Sequence, residues 1–420
     1  MHTTNAVRGD LMSGHSWTRE QEGALQAVDQ WFKGPNRFKP FYLAGYAGTG
    51  KTTLAKYFAQ NIRGTVLFAA FTGKAASVLR GKGCPGATTV HSLIYNPVGN
   101  SNTKRLKEIE KAIAEERTKG QEIDITKLEK LRDEKRRLEA VSRAQFELKD
   151  RYDAPHMKQA DLIILDECSM IDMVMAKDLM SFKVPILVLG DPGQLPPVKG
   201  RGAWIDAKPD YLLEEIHRQA QDSNIIRLAH DVRKGIMPSM MEYDDCMVRS
   251  KRVMDWQELV TADQVITGKN NTRHALNKAI RKLNKHTKLF PIVGDKLICL
   301  KNDHEIGLLN GVTCESFKDS EKIGHTVLVH VNYEGVEHEF FCDPGHFEET
   351  YYSKRLSFPN HDVVKHFAYG YAITGHKSQG SQWEKVVVCD DKMRSQDLEM
   401  RKKWLYTVIT RAEKQLIMYK

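Results

Sequence analysis

The chain has 420 residues, of which 41% are hydrophobic and 28% are charged. This composition supplies enough apolar side chains for a folded core and excludes disorder of the whole chain. At roughly 100–200 residues per domain, the length suggests about two to four domains. The 63 Lys and Arg residues exceed the 54 Asp and Glu residues, and the net charge of +9 weakly favours a polyanionic partner.

The sequence favours a cytoplasmic protein with no membrane segment. No apolar run is long enough to cross a bilayer, and the first residues lack the pattern of a secretory signal. The seven cysteines are widely spaced and include no C-x-x-C pair, which indicates neither a disulfide framework nor a zinc site.

Short apolar runs alternate with helical patterns along most of the chain. Buried strands are predicted at PFYLAGYAG, TVLFAAFTG, DLIILDECS, VPILVLGDP, DQVITG and KVVVCDD. Strands separated by helices indicate an α/β fold, with parallel sheets covered by helices on both faces. Ligands in such folds lie beyond the carboxyl ends of the strands. From about 290 to 362 the runs GDKLICLKND, GVTCESF, HTVLVHVNY and VEHEFFCD predict a small antiparallel β insertion.

A highly charged segment interrupts this pattern. Between Ser101 and Asp150, 26 of the 50 residues are charged, with both signs mixed. Leu and Ile residues recur there at helical spacing on either side of Gly120. We therefore expect an arm of two antiparallel helices, each with a narrow apolar stripe.

A phosphate-binding loop is predicted at Gly45–Thr52, which matches the pattern G-x-x-x-x-G-K-[ST] between the strand FYLA and a helix. Glycines let backbone N–H groups approach phosphate oxygens, and the helix N-terminus adds positive potential. Lys51 would reach the β- and γ-phosphates of ATP, and the Thr52 hydroxyl would bind Mg²⁺. The residues expected to contact the nucleotide here are Gly45, Ala47, Gly48, Thr49, Gly50, Lys51, Thr52 and Thr53.

Three further polar residues follow predicted strands. Asp166 would bind Mg²⁺ and Glu167 would orient and deprotonate the attacking water, unless the pair merely caps the next helix. Gln194, in GDPGQLPPV, is suited to sensing the γ-phosphate and a water together, although a Pro/Gly surface turn is the alternative.

Two arginines are candidates for stabilising the charge that develops during phosphoryl transfer, because the planar guanidinium group matches the γ-oxygens. Arg218 lies in LEEIHRQA, and Arg411 lies in WLYTVITRAEKQLIM. The alternative for each is an ordinary surface salt bridge.

Taken in chain order, these motifs resemble those of the superfamily 1 DNA helicases, in particular the RecD/Dda branch. WTREQEGAL resembles the adenine-reading Q motif with Gln21, GYAGTGKT motif I, AAFTGKAASVLR motif Ia and TTVHSLI motif Ib. LDECS resembles motif II, GDPGQLPPV motif III, EEIHRQ motif IV, ITGHKSQGSQWEKVVV motif V and YTVITRA motif VI. The most specific match is HKSQGS followed later by TRA.

The resemblance implies two RecA-like domains with ATP between them. Arg218 and Arg411 would be arginine fingers on the second domain, and Gln379 and Gly380 would contact the nucleotide. The implied parts are a first RecA-like domain (1–100 and 151–212), the arm as a 1B-type insertion (101–150), a second RecA-like domain (213–300 and 363–420) and an SH3-like 2B insertion (301–362). Asn302 and Asn310-Gly311 match the approach to that insertion.

The resemblance also implies a DNA face. It comprises Thr72, Lys74, His91 and Ser92 on the first domain, and Thr374, His376 and Lys377 on the second. Phe71 replaces the usual proline and could stack on a base or simply pack, and either histidine could be structural. The strand-separating wedge could be the arm or a shorter piece at Tyr95–Ser101 or Arg151–Pro155.

The implied function is that of a monomeric, ATP- and Mg²⁺-dependent translocase and helicase with 5′→3′ polarity. It would act on single-stranded and forked DNA in a bacterial or phage-infected cell, and the arm could dock a protein partner. One alternative is a nucleic-acid-stimulated ATPase that remodels protein–DNA or RNA complexes. Another is a non-catalytic binding module, which the complete set of catalytic residues disfavours.

Overall fold

Strands and helices alternate over most of the chain, as the apolar pattern predicts. The computed structural model describes residues 17–97, 146–150, 155–196, 202–204, 207–216, 222–300, 310–333, 335–347, 365–391 and 397–420, and the single positions 109, 131 and 308. Two units are distinguished and are described separately: Val90–Ala160, and Met1–Thr89 together with Asp161–Lys420.

The helices, in chain order, are α1 (Arg19–Lys33), α2 (Lys51–Gln60), α3 (Gly73–Gly81), α4 (Val90–Ile94), α5 (Pro155–Gln159), α6 (Met173–Ser181), α7 (Asn224–Arg233), α8 (Trp256–Val260), α9 (Asn270–Leu283) and α10 (Leu398–Ile409). The strands are β1 (Phe41–Gly45), β2 (Thr65–Ala70), β3 (Thr88–Thr89), β4 (Tyr95–Pro97), β5 (Phe146–Leu148), β6 (Ala160–Asp166), β7 (Ile186–Gly190), β8 (Tyr211–Leu213), β9 (Met241–Glu242), β10 (Cys246–Arg249), β11 (Gln264–Thr267), β12 (Lys296–Cys299), β13 (Thr313–Ile323), β14 (Thr326–Tyr333), β15 (Val336–Cys342), β16 (Phe367–Tyr369), β17 (Ala372–Thr374), β18 (Trp383–Cys389) and β19 (Ala412–Tyr419). Among the described residues, none of these helices has both the length and the apolar character needed to span a membrane.

Six strands form the first sheet, in the order β3-β2-β6-β7-β1-β8. β1 and β6 both pair in parallel with β7, so that Ala44 lies opposite Gly190 and Leu165 lies opposite Val188. The carboxyl ends of these three strands are therefore neighbours at one end of the sheet. The predicted parallel sheet is confirmed, and it brings the phosphate loop, Asp166 and the Gln194 segment to the same end.

Helices α1, α2 and α3 supply the apolar cover of the first sheet. Leu25, Leu54 and Leu79, one from each helix, pack in a buried cluster with strand residues such as Leu43 and Ile164. Burial of this kind contributes about 1.5–3 kcal/mol for each large aliphatic side chain. It fixes the helices that flank the phosphate loop.

The second sheet has the order β17-β11-β18-β19-β10-β9, and only its edge strand β9 runs antiparallel. Alternate residues of β18 face opposite sides, with Val386 and Val388 in one buried cluster and Val387 in another. The first of these clusters also contains Trp404 and Tyr406 of α10 and Leu195, which follows the first sheet. Leu195 thus extends the core of the second sheet to the end of the first sheet, and we call this region, where the two sheets meet, the seam.

A third sheet is entirely antiparallel, in the order β15-β14-β13-β12-β16. This confirms the predicted β insertion as an antiparallel unit. Because β16 pairs with β12, with Leu297 opposite Tyr369, the sheet extends beyond the expected 301–362 range on both sides. Its assignment as SH3-like, and the other expected domain boundaries, stay predictions.

In the unit Val90–Ala160, β4 and β5 form a short antiparallel pair, with Tyr95 opposite Leu148. Lys149 N–H donates to Ile94 O over 2.8 Å just beyond that pair. The predicted two-helix arm lies outside the described residues except for 146–150 and two helical positions, Ile109 and Leu131. The arm and the choice of wedge stay predictions.

Candidate nucleotide site and nucleic-acid interface

The phosphate loop connects β1 to α2, as the motif predicts. Gly48 and Gly50 adopt φ angles of +80° and +82°, a region that L side chains rarely occupy. Gly50 precedes α2 and provides no side-chain cap. The first N–H groups of the helix therefore stay available to an anion.

Gln21 supports this loop from α1. Its Nε2 donates to Thr49 O over 3.1 Å, and its Oε1 accepts the Thr18 N–H in the capping box that begins the helix. A Cβ on Gly50 would lie 2.9 Å from the Gln21 amide nitrogen, so the contact requires glycine there. Both ends of the amide are thus used within the protein, and adenine reading by Gln21 stays a prediction.

The Lys51 ammonium lies over its own loop. Its Nζ donates to Gly45 O over 2.5 Å and to Tyr46 O over 2.9 Å. A phosphate bound by the loop would offer negatively charged oxygens in place of these neutral carbonyls, and the attraction between opposite charges would favour the exchange. The position fits the predicted phosphate-binding role.

Asp166 and Glu167 end β6 beside the loop. Thr52 Oγ1 donates to Asp166 Oδ2 over 3.1 Å, and the Glu167 N–H donates to Asp166 Oδ1 over 2.8 Å. Burial, together with the charge of Glu167, raises the pKa of Asp166, so a cation there would stabilise the carboxylate. A hydroxyl and a carboxylate oxygen are ligands that Mg²⁺ prefers, and the pair fits the expected metal.

The backbone of Glu167 is strained, because it adopts φ +54° without being glycine. Its side chain makes no capping bond to the short helix that follows, which argues against the simple helix-cap interpretation. Strain of this kind persists where the surroundings hold a residue in place, and it is frequent at active sites.

Gln194 follows β7 in a loop that also contains Asp191. Its side chain is only 5% exposed, which contradicts the surface-turn alternative. Its Oε1 is buried and has no hydrogen-bond partner among the described residues. A buried polar atom of this kind suits a bound polar group such as a water or a phosphate.

Side chains on the second sheet's side of the seam form hydrogen bonds with this loop and with the phosphate loop. The Tyr406 hydroxyl donates to Asp191 Oδ2 over 2.7 Å and accepts the Ala47 N–H over 2.7 Å. The Leu195 N–H donates to Thr407 Oγ1 over 2.9 Å, and Gln379 Nε2 donates to Leu195 O over 2.7 Å. Gln379 thus contacts the loop, and its expected contact with the nucleotide, like that of Gly380, stays a prediction. Sequence reasoning missed Tyr406 and Thr407, whose only signal was membership of YTVITRA.

Helix α7 adds a second contact across the seam. The Arg233 guanidinium lies over the Tyr46 ring, 3.8 Å from its centroid, and His230 Nε2 lies 3.4 Å from Ala47 O. Burial lowers the pKa of His230, so it stays neutral there. No motif in the sequence indicated these residues.

Arg411 is only 3% exposed, which contradicts the surface salt-bridge alternative. Its guanidinium donates to Thr407 O, Ser381 O and Thr410 Oγ1 over 2.9, 3.1 and 3.1 Å. The side chain is therefore held within the second sheet's half of the seam. Arg218 lies outside the described residues, so its role stays a prediction.

Thr72 of motif Ia lies against Gly380 of motif V at the seam. Thr72 caps α3 by accepting the Ala75 N–H over 3.1 Å, and a Cβ on Gly380 would lie 2.9 Å from Thr72 Oγ1. Motifs Ia and V are thus in contact. Lys377 Nζ donates to Asn310 Oδ1 over 3.2 Å, and burial lowers its pKa.

All the expected DNA contacts, those of Thr72 and Lys377 included, stay predictions. Phe71, Lys74, Thr374 and His376 are half-buried. His91 and Ser92 belong to α4 in the other unit, where the His91 ring lies 5.8 Å from that of Tyr95.

The fold is similar to that of solved Pif1 helicases. A structure of two coordinating Pif1 helicases at forked double-stranded DNA is 17% identical, with a TM-score of 0.54 over 97% of this chain and 92% of that one. Pif1 from Bacteroides with ADP-AlF3 and single-stranded DNA is 16% identical, with a TM-score of 0.53 over 96% and 92% of the two chains. At this identity the likeness shows the fold alone.

Curated relatives match over shorter stretches. The RecD2 DNA helicase of Deinococcus radiodurans is 35% identical over 92 residues, which are 20% of this chain and 13% of the relative. An uncharacterized protein of Acanthamoeba polyphaga mimivirus is 27% identical over 190 residues, 43% of this chain and 33% of the relative. The chain therefore spans a third or less of the length of these relatives.

Two family models match the chain. The AAA domain matches residues 19–248, more than half of the sequence, and the UvrD-like helicase C-terminal domain matches residues 369–419. The chain belongs to the superfamily 1B helicases. The first match contains the phosphate loop and extends through α7 into β10 of the second sheet, and the second match contains Arg411.

The contact between Gly380 and Thr72 can be tested against a second glycine. Gly380 (φ +72°) and Gly311 (φ +88°) both have left-handed backbones, but a Cβ on Gly311 would meet nothing within 4 Å. Replacing either with alanine incurs similar backbone strain, whereas only Gly380→Ala also overpacks the seam. We expect Gly380→Ala to lower the free energy of unfolding by about 1–3 kcal/mol more than Gly311→Ala, measured by urea denaturation. Equal losses would contradict the contact.

Proposed function

We propose that this protein is an ATP-dependent DNA helicase that moves along single-stranded DNA and unwinds forked duplexes. The observation that supports this most strongly is the seam itself. Phosphate loop, carboxylate pair and Gln194 meet at one end of a parallel sheet, and side chains of a second parallel sheet bind that end directly. A nucleotide bound there would affect residues on both sheets' sides of the seam.

Nucleotide binding would use the loop as an anion site. The Lys51 ammonium would exchange the Gly45 and Tyr46 carbonyls for phosphate oxygens, while the first N–H groups of α2 bind the phosphates. Thr52 and Asp166 would hold Mg²⁺, which would neutralise part of the phosphate charge. Glu167 would accept a proton from the attacking water, and Gln194 Oε1 would orient that water.

The two sheets would move together when ATP binds, because the arginine contacts form only with bound ATP. Arg411 would exchange carbonyl oxygens of its own half for the γ-phosphate, and Arg218 would contribute a second guanidinium. A ligand shifts a conformational equilibrium only by its differential affinity for the two states. Loss of the γ-phosphate would remove these contacts and reopen the seam, which would give one step along the strand.

DNA would bind beside the seam through phosphate contacts that carry no sequence information. The proposed residues are Thr72, Lys74, Thr374, His376 and Lys377. His91 and Ser92, in the unit Val90–Ala160, are separate candidates for DNA contact. Support comes from the contact between motifs Ia and V and from the Pif1 neighbours, one concerned with unwinding at forked DNA and one in complex with single-stranded DNA. The proposed 5′→3′ polarity rests on the RecD/Dda resemblance.

Lys51→Ala tests the phosphate site. We expect ATP turnover stimulated by single-stranded DNA, and unwinding of a forked duplex, to fall to background, because the main positive charge for the phosphates is lost. Salt-sensitive DNA binding should persist, as measured by fluorescence anisotropy. Lys56→Ala, on the same helix but bonded to Lys82 O, is the matched control and should keep wild-type turnover. Unchanged turnover in Lys51→Ala would exclude the assignment, and turnover without unwinding in wild type would favour the remodelling ATPase.

Arg411→Ala tests the arginine finger. We expect kcat to fall by ~10³ while nucleotide affinity changes little, because the guanidinium acts on charge that develops in the transition state. Stopped-flow turnover and titration of a fluorescent nucleotide separate these two effects. Arg401→Ala, which removes a nearby arginine bonded to Asp390, is the control for stability. Loss of affinity alone would show that Arg411 binds only ground-state nucleotide.

A further inference from the structure

Tyr406 is a deeply buried polar contact of the seam. It lies on α10, is 1% exposed and packs in the apolar cluster of the second sheet. Its hydroxyl nevertheless serves two groups outside that sheet, Asp191 Oδ2 and the Ala47 N–H, each over 2.7 Å. One phenol thus joins the loop after β7, the phosphate loop after β1 and the second sheet.

The two partners of Tyr406 belong to one rigid framework. Ala47 follows β1 and Asp191 follows β7, and these strands pair directly, with Ala44 opposite Gly190. Relative motion of the two sheets therefore changes the position of the Tyr406 hydroxyl against both partners at once. The neighbouring Gly193 is shaped to the ring, since a Cβ there would lie 2.9 Å from Tyr406 Cε1.

Asp191 is a buried carboxylate that depends on few partners. Its Oδ1 accepts the Gly193 N–H over 2.9 Å, and its Oδ2 accepts the Tyr406 hydroxyl. Burial raises the pKa of Asp191, and the charge of Lys51 opposes that rise. Asp191 is therefore influenced by the phosphate-binding lysine on one side and by the second sheet on the other.

We propose that Tyr406 is a positioning residue that couples the state of the phosphate loop to movement of the second sheet. The inference rests on the proposed function. When the Lys51 ammonium moves onto a phosphate, the field at Asp191 and the position of the Ala47 N–H change together, and both changes reach α10 through the same hydroxyl. Without that hydroxyl, hydrolysis continues but fewer turnovers produce a step.

Tyr406→Phe removes the hydroxyl and keeps the ring. We expect the ATP consumed per nucleotide translocated to rise by about threefold or more, while KM for ATP stays within about twofold of wild type. Phosphate release and translocation on single-stranded DNA, both followed by stopped flow, give the ratio. Asp191→Asn should act in the same direction, and the double variant should add little to Tyr406→Phe, because Tyr406→Phe already removes the bond between the two side chains.

Tyr419→Phe is a matched control. The Tyr419 hydroxyl also accepts a backbone N–H, that of Asp255 over 3.0 Å, and donates to a carboxylate, that of Glu258, but within the second sheet's own half. It should lower stability without changing the coupling ratio. An unchanged ratio in Tyr406→Phe, or an equal rise in Tyr419→Phe, would overturn the proposal.

Failure of the proposed function gives a different result. If wild-type protein neither hydrolyses ATP with single-stranded DNA nor translocates, the helicase assignment fails. If wild type couples the two and Tyr406→Phe couples them equally well, only the role of Tyr406 fails. Should Tyr406→Phe not fold, Asp191→Asn supplies the same ratio and decides the question.

Discussion

The hydrogen bond from the Tyr406 hydroxyl to the buried Asp191 carboxylate is the interaction on which the proposed coupling of the two sheets depends. A carboxylate taken out of water is costly unless hydrogen bonds compensate it, and one of the few bonds available to Asp191 comes from the other sheet. The loop that carries Gln194 is therefore complete only when the two sheets meet. In the same loop, the Leu195 N–H donates to Thr407 Oγ1 and the Leu195 carbonyl accepts from Gln379 Nε2. The conformation of this loop is therefore linked to the contact between the two sheets.

The two cationic side chains proposed to bind the γ-phosphate have hydrogen-bond partners that a phosphate could replace. Lys51 and Arg411 both bind neutral carbonyl oxygens, which are weaker partners than phosphate oxygens. Glu167 is held in a strained backbone conformation beside Asp166, where the surroundings maintain it. These contacts hold the site in place before nucleotide binds. They are weak enough to be exchanged for contacts with the nucleotide, and a repeated cycle of binding and release requires such exchange.

Much of the fold followed from sequence because the strands are continuous apolar runs and the loop motif is specific. Gln194 and Arg411 were also identified from sequence. Their burial, however, which excludes a surface turn for one and a surface salt bridge for the other, depends on the packing of distant segments. Tyr406 and Arg233 could not be predicted as seam contacts, because their partners are remote in sequence and an apolar helix pattern does not say which residue crosses an interface. β16 was not predicted as part of the third sheet, because in the sequence it is only a short apolar run. Its pairing with β12 is what assigns it to this sheet.

The central claim is that nucleotide changes the separation of the two sheets. All seven cysteines are buried, so Val174→Cys and Val253→Cys, at exposed positions on either side of the seam, can be labelled selectively with a fluorescent pair. The account predicts that a non-hydrolysable ATP analogue with single-stranded DNA shifts the energy transfer between them, and that Lys51→Ala abolishes the shift. Constant transfer at saturating nucleotide would contradict it.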